Sequence, residues 1–162
     1  DEGGAPLPMG QVGEIAIASS RVMRGYYGQQ EATAATLQDG WLHTRDLGWI
    51  DEDGYVFLAG RKSDMIIRGG ENIAPEEVEL VLDSHPNVEE AAVFGEPDEE
   101  WGEVVVAAVV ASTPSEALAG ELIQLCRARL GSYKAPREVR FLESLPRNDL
   151  GKLLRKELRK QG

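Results

Sequence analysis

A chain of 162 residues holds one domain, or one small domain and a piece of another, and its 42% apolar content is enough for a real core. The formal charge of −11 argues against general nucleic-acid binding, and no apolar run reaches the roughly 18–20 residues that span a bilayer. The only cysteine, Cys126, excludes an internal disulfide and fits a reducing compartment; no basic-then-apolar leader opens the chain.

In chain order, residues 1–10 are rich in Gly and Pro and read as a loop. Gly13 to Ser19 alternates and predicts a strand with Ile15 and Ile17 on one face. Gly25 to Gly28 reads as a turn, and Gln29 to Leu37 as a short helix stopped by Asp39-Gly40. Strands are expected at Trp41 to His43, Leu47 to Ile50 and Tyr55 to Ala59, the last two joined by Asp51-Glu52-Asp53-Gly54. This first part is a small β-rich unit.

The character then changes. Met65 to Ile67 reads as a short strand and Gly69-Gly70 as a tight turn after it. Pro75 suits the first position of a helix, Glu76 and Glu77 suit the positive end of its dipole, and Val78, Val81 and Leu82 form its apolar face. His85-Pro86 ends it. Val88 to Phe94 and Val104 to Val110 are near-continuous apolar strands that call for helical cover. Thr113-Pro114-Ser115-Glu116 reads as a capping box. Leu118, Leu122, Leu125, Cys126 and Leu130 follow at helical spacing, and Gly131 closes the helix. Val139 to Leu142 reads as a strand and Leu153 to Lys160 as a terminal helix.

The expected fold is therefore α+β. A small β-rich subdomain precedes a small α+β C-terminal domain, whose few-stranded sheet is flanked by helices. The polar run Arg61 to Asp64 marks the boundary, giving units 1–63 and 64–162. Charge is segregated as well: from Glu76 to Glu103 every charged residue is acidic, whereas Arg127 to Lys160 is mostly basic. A basic end can solvate a face or meet an anionic ligand.

Four motifs occur in order: R-G-Y-Y-G-Q-Q-E-A-T at 24–33, W-L-H-T-R-D-L-G at 41–48, the run from Gly60 to Glu79, and P-R-N-D-L-G-K at 146–152. From about Gly13 to Leu158 the chain resembles the adenylate-forming superfamily, which includes acyl-CoA synthetases, peptide-synthetase adenylation domains and luciferases. Its style is most similar to a fatty-acyl-CoA synthetase. The resemblance implies an ATP-dependent carboxylate–CoA ligase using ATP, Mg²⁺ and CoA, with a small carboxylic acid as substrate. It also implies that residues 1–63 end a large N-terminal adenylation domain, that 64–162 form a mobile C-terminal domain, and that the phosphate loop and acid pocket lie upstream. The segment by itself is expected to lack ligase activity, and the full protein to be cytoplasmic.

Residue by residue, the resemblance implies that Asp46 holds the ribose hydroxyls of ATP and that Arg61 reaches ribose or phosphate. A carboxylate accepts from two hydroxyls at once, and an arginine fork matches such oxygens. Asp64 falls at the hinge. Gly69, Gly70 and Glu71 fall at the turn that lines the pantetheine tunnel. Lys152 is the catalytic candidate, an ammonium set against the charge that develops on the phosphates. One departure is visible: the family usually carries Gly just before the ribose aspartate, and this chain carries Arg45. Phe94 to Asp98 with Trp101-Gly102-Glu103 is implied to lie near the CoA nucleotide. Tyr133-Lys134-Ala135-Pro136 is a further family signature. No metal site is expected; His43, His85 and Cys126 read as structural. The rival readings are a peptide-synthetase adenylation domain that loads a carrier protein, and a non-catalytic binding module. No Gly-Lys-Ser/Thr phosphate loop is present to support a P-loop enzyme.

Overall fold

The computed structural model describes Asp1 and residues 3–160; the last two positions of the expected 64–162 unit lie outside the described residues. The chain divides into two compact units, Asp1–Ser63 and one that begins at Asp64. The architecture is the expected one, a small β-rich unit followed by an α+β unit.

The first unit is an antiparallel sheet of β1 (Gly13–Ile17), β2 (Leu37–Gln38), β3 (Trp41–Ile50) and β4 (Val56–Arg61), with helix α1 (Gln30–Thr36) leading straight into β2. The two strands expected at 41–43 and 47–50 are one ten-residue strand, because pairing resumes on both sides of Arg45, whose φ of 61° is left-handed. The sheet tolerates this kink through irregularities in register, one where Thr44, Arg45 and Asp46 of β3 lie opposite Ile15 of β1 and one between Leu47 and Gly48 against β4. Gly48 sits where strands crowd: a Cβ there would meet the Phe57 carbonyl oxygen at 2.4 Å. Trp49 and Phe57 stack at 4.3 Å between ring centroids. Among the described residues of this unit only Gly48 is buried, while Met9, Trp41, Ile50, Val56 and Leu58 stay exposed.

The second unit is a five-stranded sheet. β8 (Gly102–Ala111) is central, and β7 (Val88–Asp98) pairs with it antiparallel along nearly its whole length. On its other side lie β9 (Glu138–Phe141), which runs parallel to it, and the hairpin of β5 (Ile66–Arg68) and β6 (Glu71–Ile73). The period-2 alternation of β7 and β8 feeds two apolar layers. Ala91, Val93, Val105, Ala107 and Val109 pack under α2 (Pro75–Asp83) and α3 (Glu116–Leu130), against Val78, Leu82, Leu118, Leu122 and Cys126. Ala92, Phe94, Val104, Val106 and Ala108 pack on the other face, under Leu145 and Leu158 of the C-terminal segment, which ends in α4 (Arg155–Leu158). Each fully buried Leu or Phe in these layers contributes roughly 1.5–3 kcal/mol of transfer free energy.

Three local expectations need correction. The helix cap is Ser115, whose hydroxyl accepts from the Leu118 N–H at 3.1 Å; Thr113 lies too far upstream to cap a helix that starts at Glu116. The terminal helix is one turn, Arg155–Leu158, because residues 147–154 are committed to a hydrogen-bonded loop. β6 was not expected at all; three residues are too few to show a period. No described helix is long and apolar enough to cross a membrane.

Candidate functional site

The antiparallel pairing of β3 and β4 sets Asp46 and Arg61 opposite each other, with the Arg61 Nε 3.0 Å from the Asp46 Oδ1. The Asp46 N–H donates to Thr44 Oγ1 at 3.1 Å, and that hydroxyl donates to the Ile15 carbonyl at 2.8 Å. Two residues implied to meet the nucleotide are therefore cross-strand partners in one sheet. Arg45 supplies the bend beside them. Its N–H donates to Glu14 Oε1 at 3.1 Å and its carbonyl accepts from the Lys62 N–H at 2.9 Å. Burial pushes the Glu14 carboxyl up, but hydrogen bonds from Lys62 and the Arg45 amide outweigh it and hold the group below its usual value. A cavity of about 280 Å³ opens next to this bend, lined by Tyr26, Gln29, Ala32, Thr36, His43, Thr44 and Arg45.

Asp64 opens the second unit, and its Oδ2 lies 3.1 Å from Arg155 Nη1. The same guanidinium donates through Nη2 to both Glu79 oxygens at 2.7 and 3.0 Å, and through Nε to the Val93 carbonyl at 3.2 Å. Glu76 lies 3.6 Å away. Arg155 thus ties the first residue of the unit to α2, β7 and the C-terminal turn. Burial favours its neutral form, but Glu79, Glu76 and Asp64 outweigh that and raise its pKa. Burial pushes the Glu76 carboxyl up, and its Oε2 is buried with no hydrogen-bond partner among the described residues. The basic run reads from sequence as a solvated face or an anion-binding end, and neither reading singles out Arg155; its spacing carries no signal until the chain folds back on α2.

Gly69 and Gly70, at φ 59° and 87°, form the two-residue link between β5 and β6. Both angles are left-handed, which suits a hairpin turn of this length and favours glycine. The Gly69 N–H donates to the Trp101 carbonyl at 2.8 Å, and a Cβ on Gly69 would meet the Trp101 ring at 3.1 Å. A Cβ on Gly70 would meet nothing within 4 Å. Glu71 is exposed and faces Arg68 across the ladder. Trp101 closes the β7–β8 hairpin, where Asp98 Oδ1 accepts from the N–H groups of Trp101 and Glu100, each at 3.0 Å. The Trp101 N–H, with Arg137 alongside, holds the Asp98 carboxyl below its usual range. Lys134 donates to Glu77 Oε2 at 2.6 Å and so binds the Tyr133–Pro136 loop to α2.

Lys152 is exposed on a tight loop. Asn148 Oδ1 accepts from the N–H groups of Leu150 and Lys152 at 3.1 and 2.8 Å, and the Asn148 N–H donates to the Lys152 carbonyl at 2.9 Å. Arg147 donates to the Gly151 carbonyl at 2.6 Å and pairs with Glu90. Gly151 takes φ 80°, and Leu150 at the tip is 92% exposed. Asn148 was missed as an organising residue, although Asn-Asp-x-Gly is a turn signature in which Asn bonds the backbone ahead of it. His43 lies 3.8 Å from Glu14 and His85 lies 3.7 Å from Glu121. Burial pushes the Cys126 thiol up to about 11, which leaves it unreactive.

Residues 77–152 match the family model described as the AMP-binding enzyme C-terminal domain. The chain belongs to the adenylate-forming superfamily. It is 48% identical over 159 residues to the 2-succinylbenzoate–CoA ligase of Bacillus cereus, covering 98% of this chain and 33% of that protein. It is also 48% identical over 159 residues to the fatty acid–[acyl-carrier-protein] ligase ScoC of Streptomyces coeruleorubidus, covering 98% and 31%. Among solved structures it is similar to the o-succinylbenzoate CoA synthetase (MenE) of Bacillus subtilis in complex with the acyl-adenylate intermediate OSB-AMP. There the TM-score is 0.86 at 45% identity, over 94% of this chain and 31% of that one. The chain thus spans about a third of the length of the curated relatives it matches. It corresponds to the C-terminal part of that family's proteins. The family model runs from Glu77, inside α2, to Lys152 and leaves Asp46, Arg61, Asp64, Gly69, Gly70 and Glu71 outside its matched span.

Proposed function

We propose that this chain is the C-terminal part of an ATP-dependent carboxylate–CoA ligase. The observation that carries this reading is the Asp46–Arg61 pair, with Nε 3.0 Å from Oδ1 on adjacent strands. It offers a carboxylate for ribose hydroxyls and a guanidinium for phosphate or ribose oxygens side by side. The acid's carboxylate attacks the α-phosphorus of ATP, the bond to pyrophosphate breaks, and an acyl-adenylate forms. The CoA sulfur then attacks the acyl carbon, AMP leaves with the bonding pair, and the thiol proton passes to solvent.

In this reading Lys152 sets its ammonium against the charge that builds on the phosphates in the first step. Asp64 is the hinge between two poses of the second unit, and the Gly69-Gly70 turn with Glu71 lines the path of the thiol in the second. Mg²⁺ enters as the partner of the ATP phosphates, and no residue of this chain is assigned to it. The apolar residues left exposed on the first unit fit a piece of a larger adenylation domain, completed by sequence upstream. A cytoplasmic location follows from the reliance on ATP and CoA.

The acid we assign is a fatty acid, supported by the motif style and by the fatty-acid ligase among the relatives; an aryl acid is supported by the 2-succinylbenzoate ligase. A carrier protein as acceptor is the second reading, because one relative at 48% identity is named for loading an acyl-carrier protein.

The test incubates the full-length protein with ATP, Mg²⁺, CoA and fatty, short-chain, aryl and amino acids, with products read by mass spectrometry. An acyl-CoA supports the ligase and names the acid. Adenylate without thioester moves the reading to a carrier-protein loader, and neither product sinks both. Residues 1–162 alone are expected to make no acyl-CoA.

A further inference from the structure

We infer that Arg68 is a positioning residue for thioester formation, holding the Gly69-Gly70 turn in the shape that admits the thiol arm of CoA. The inference rests on the reading of that turn given above. Arg68 is the last residue of β5, directly before the turn. Its Nη1 donates to the Tyr133 carbonyl at 2.6 Å, and its guanidinium carbon lies 5.6 Å from the centroid of the Trp101 ring. One side chain therefore spans the loop after α3 and the tip of the β7–β8 hairpin.

The turn needs such a tie. β5 and β6 are three residues each, and a hairpin that short has little stability of its own. The hairpin joins β8 at the single pair Arg68–Gly102, supported by the Gly69 N–H on the Trp101 carbonyl at 2.8 Å and the Ile67 N–H on Glu103 Oε2 at 2.7 Å. To these Arg68 adds a charged side-chain tie that starts from the hairpin itself and reaches Tyr133 and Trp101. A guanidinium donates in its plane and stacks with its face at the same time; an ammonium can form either contact but lacks the flat face. None of these contacts involves Asp46, Arg61 or Lys152, so adenylation has no use for them.

The test uses the full-length enzyme with Arg68→Ala and Arg68→Lys. Dodecanoate and 2-succinylbenzoate serve as acids for ATP–pyrophosphate exchange, and the matching acyl-adenylates with CoA serve for thioester formation. Exchange is expected to stay within about twofold of wild type, while the KM for CoA rises roughly tenfold or more in Arg68→Ala, with a smaller change in kcat. Arg68→Lys, which keeps the charge and folds without a cavity, is expected to fall between the two. Equal loss of both half-reactions, or no change in the KM for CoA in either variant, overturns the inference, as does full rescue by Lys. Wild-type enzyme that exchanges pyrophosphate but never forms a thioester rejects the CoA reading itself, and the inference falls with it.

Discussion

The Arg61 guanidinium on β4 lies 3.0 Å from the Asp46 carboxylate on β3, with side chains 52% and 33% exposed. A pair so open to water adds only about 0–1 kcal/mol to stability. Its geometry serves a ligand better than it serves the fold. Arg61→Ala in the full-length protein is therefore expected to leave the melting temperature nearly unchanged while raising the KM for ATP roughly tenfold or more. Parallel melts and adenylation kinetics decide it; a large loss of stability with an unchanged KM would show a structural pair.

Arg45 occupies a φ of 61°, where an L side chain crowds its own backbone. That conformation costs non-glycine residues about 1–2 kcal/mol, and glycine is what the family usually places before the aspartate. Part of this gain is offset by the greater freedom of glycine in the unfolded chain. Arg45→Gly is expected to stabilise the first unit by about 0.5–1 kcal/mol, read from urea unfolding with Trp49 fluorescence as one probe. Destabilisation would mean that the Arg45 side chain holds the bend in place.

Lys152 depends on Asn148 for its place, because one Asn oxygen accepts from the amides of both Leu150 and Lys152. Lys152→Ala is expected to abolish adenylation yet spare thioester formation from supplied acyl-adenylate. Asn148→Ala is expected to lower adenylation by roughly tenfold with little change in melting, since the loop is exposed and the loss is one of position. Half-reaction assays check both, and equal loss of both steps in Lys152→Ala would remove that lysine from the first step.

Arg155 is a cation shared by Asp64, Glu76 and Glu79, and its own side chain is only 18% exposed. Arg155→Met removes the shared cation while Glu79 stays largely enclosed, and a loss of about 3 kcal/mol is expected for the second unit. Chemical denaturation of the chain measures it; a loss near zero would mean that water already screens the cluster.

Glu76 gives the cluster a pH dependence. Burial raises its carboxyl above the ordinary 4.5, so the folded unit keeps the proton at pH values where the unfolded chain has released it. That contribution to stability is complete below the unfolded value and is lost as pH rises through the folded one. Glutamine mimics the protonated form at every pH. Glu76→Gln is expected to match wild type near pH 4 and to exceed it increasingly toward pH 7, read as the difference in melting temperature across that range. A difference that is flat in pH, or that reverses, would reject the idea.

Much of this was legible in the residues, and the reasons are local. The helix at Pro75 was readable because Pro, two acidic residues and an apolar 3–4 spacing all act within one segment. The apolar runs of β7 and β8 announced a sheet covered on its faces, and the ordered motifs announced the family. What stayed hidden depends on partners distant in sequence. Arg155 meets Asp64 across the whole second unit, a contact made only when the C-terminal segment returns to α2. β6 exists because Gly69-Gly70 turns it back on β5. Arg45 sits in a left-handed bend because Glu14 and Lys62 grip its backbone from neighbouring strands. The sequence by itself determined the fold class, the longer elements and the family, since propensity, period and motif are carried by adjacent residues. Only the tertiary structure decided which charges are paired, which loop atoms hold Lys152, and which side chain ties down the glycine turn, because those depend on distances that no local pattern encodes.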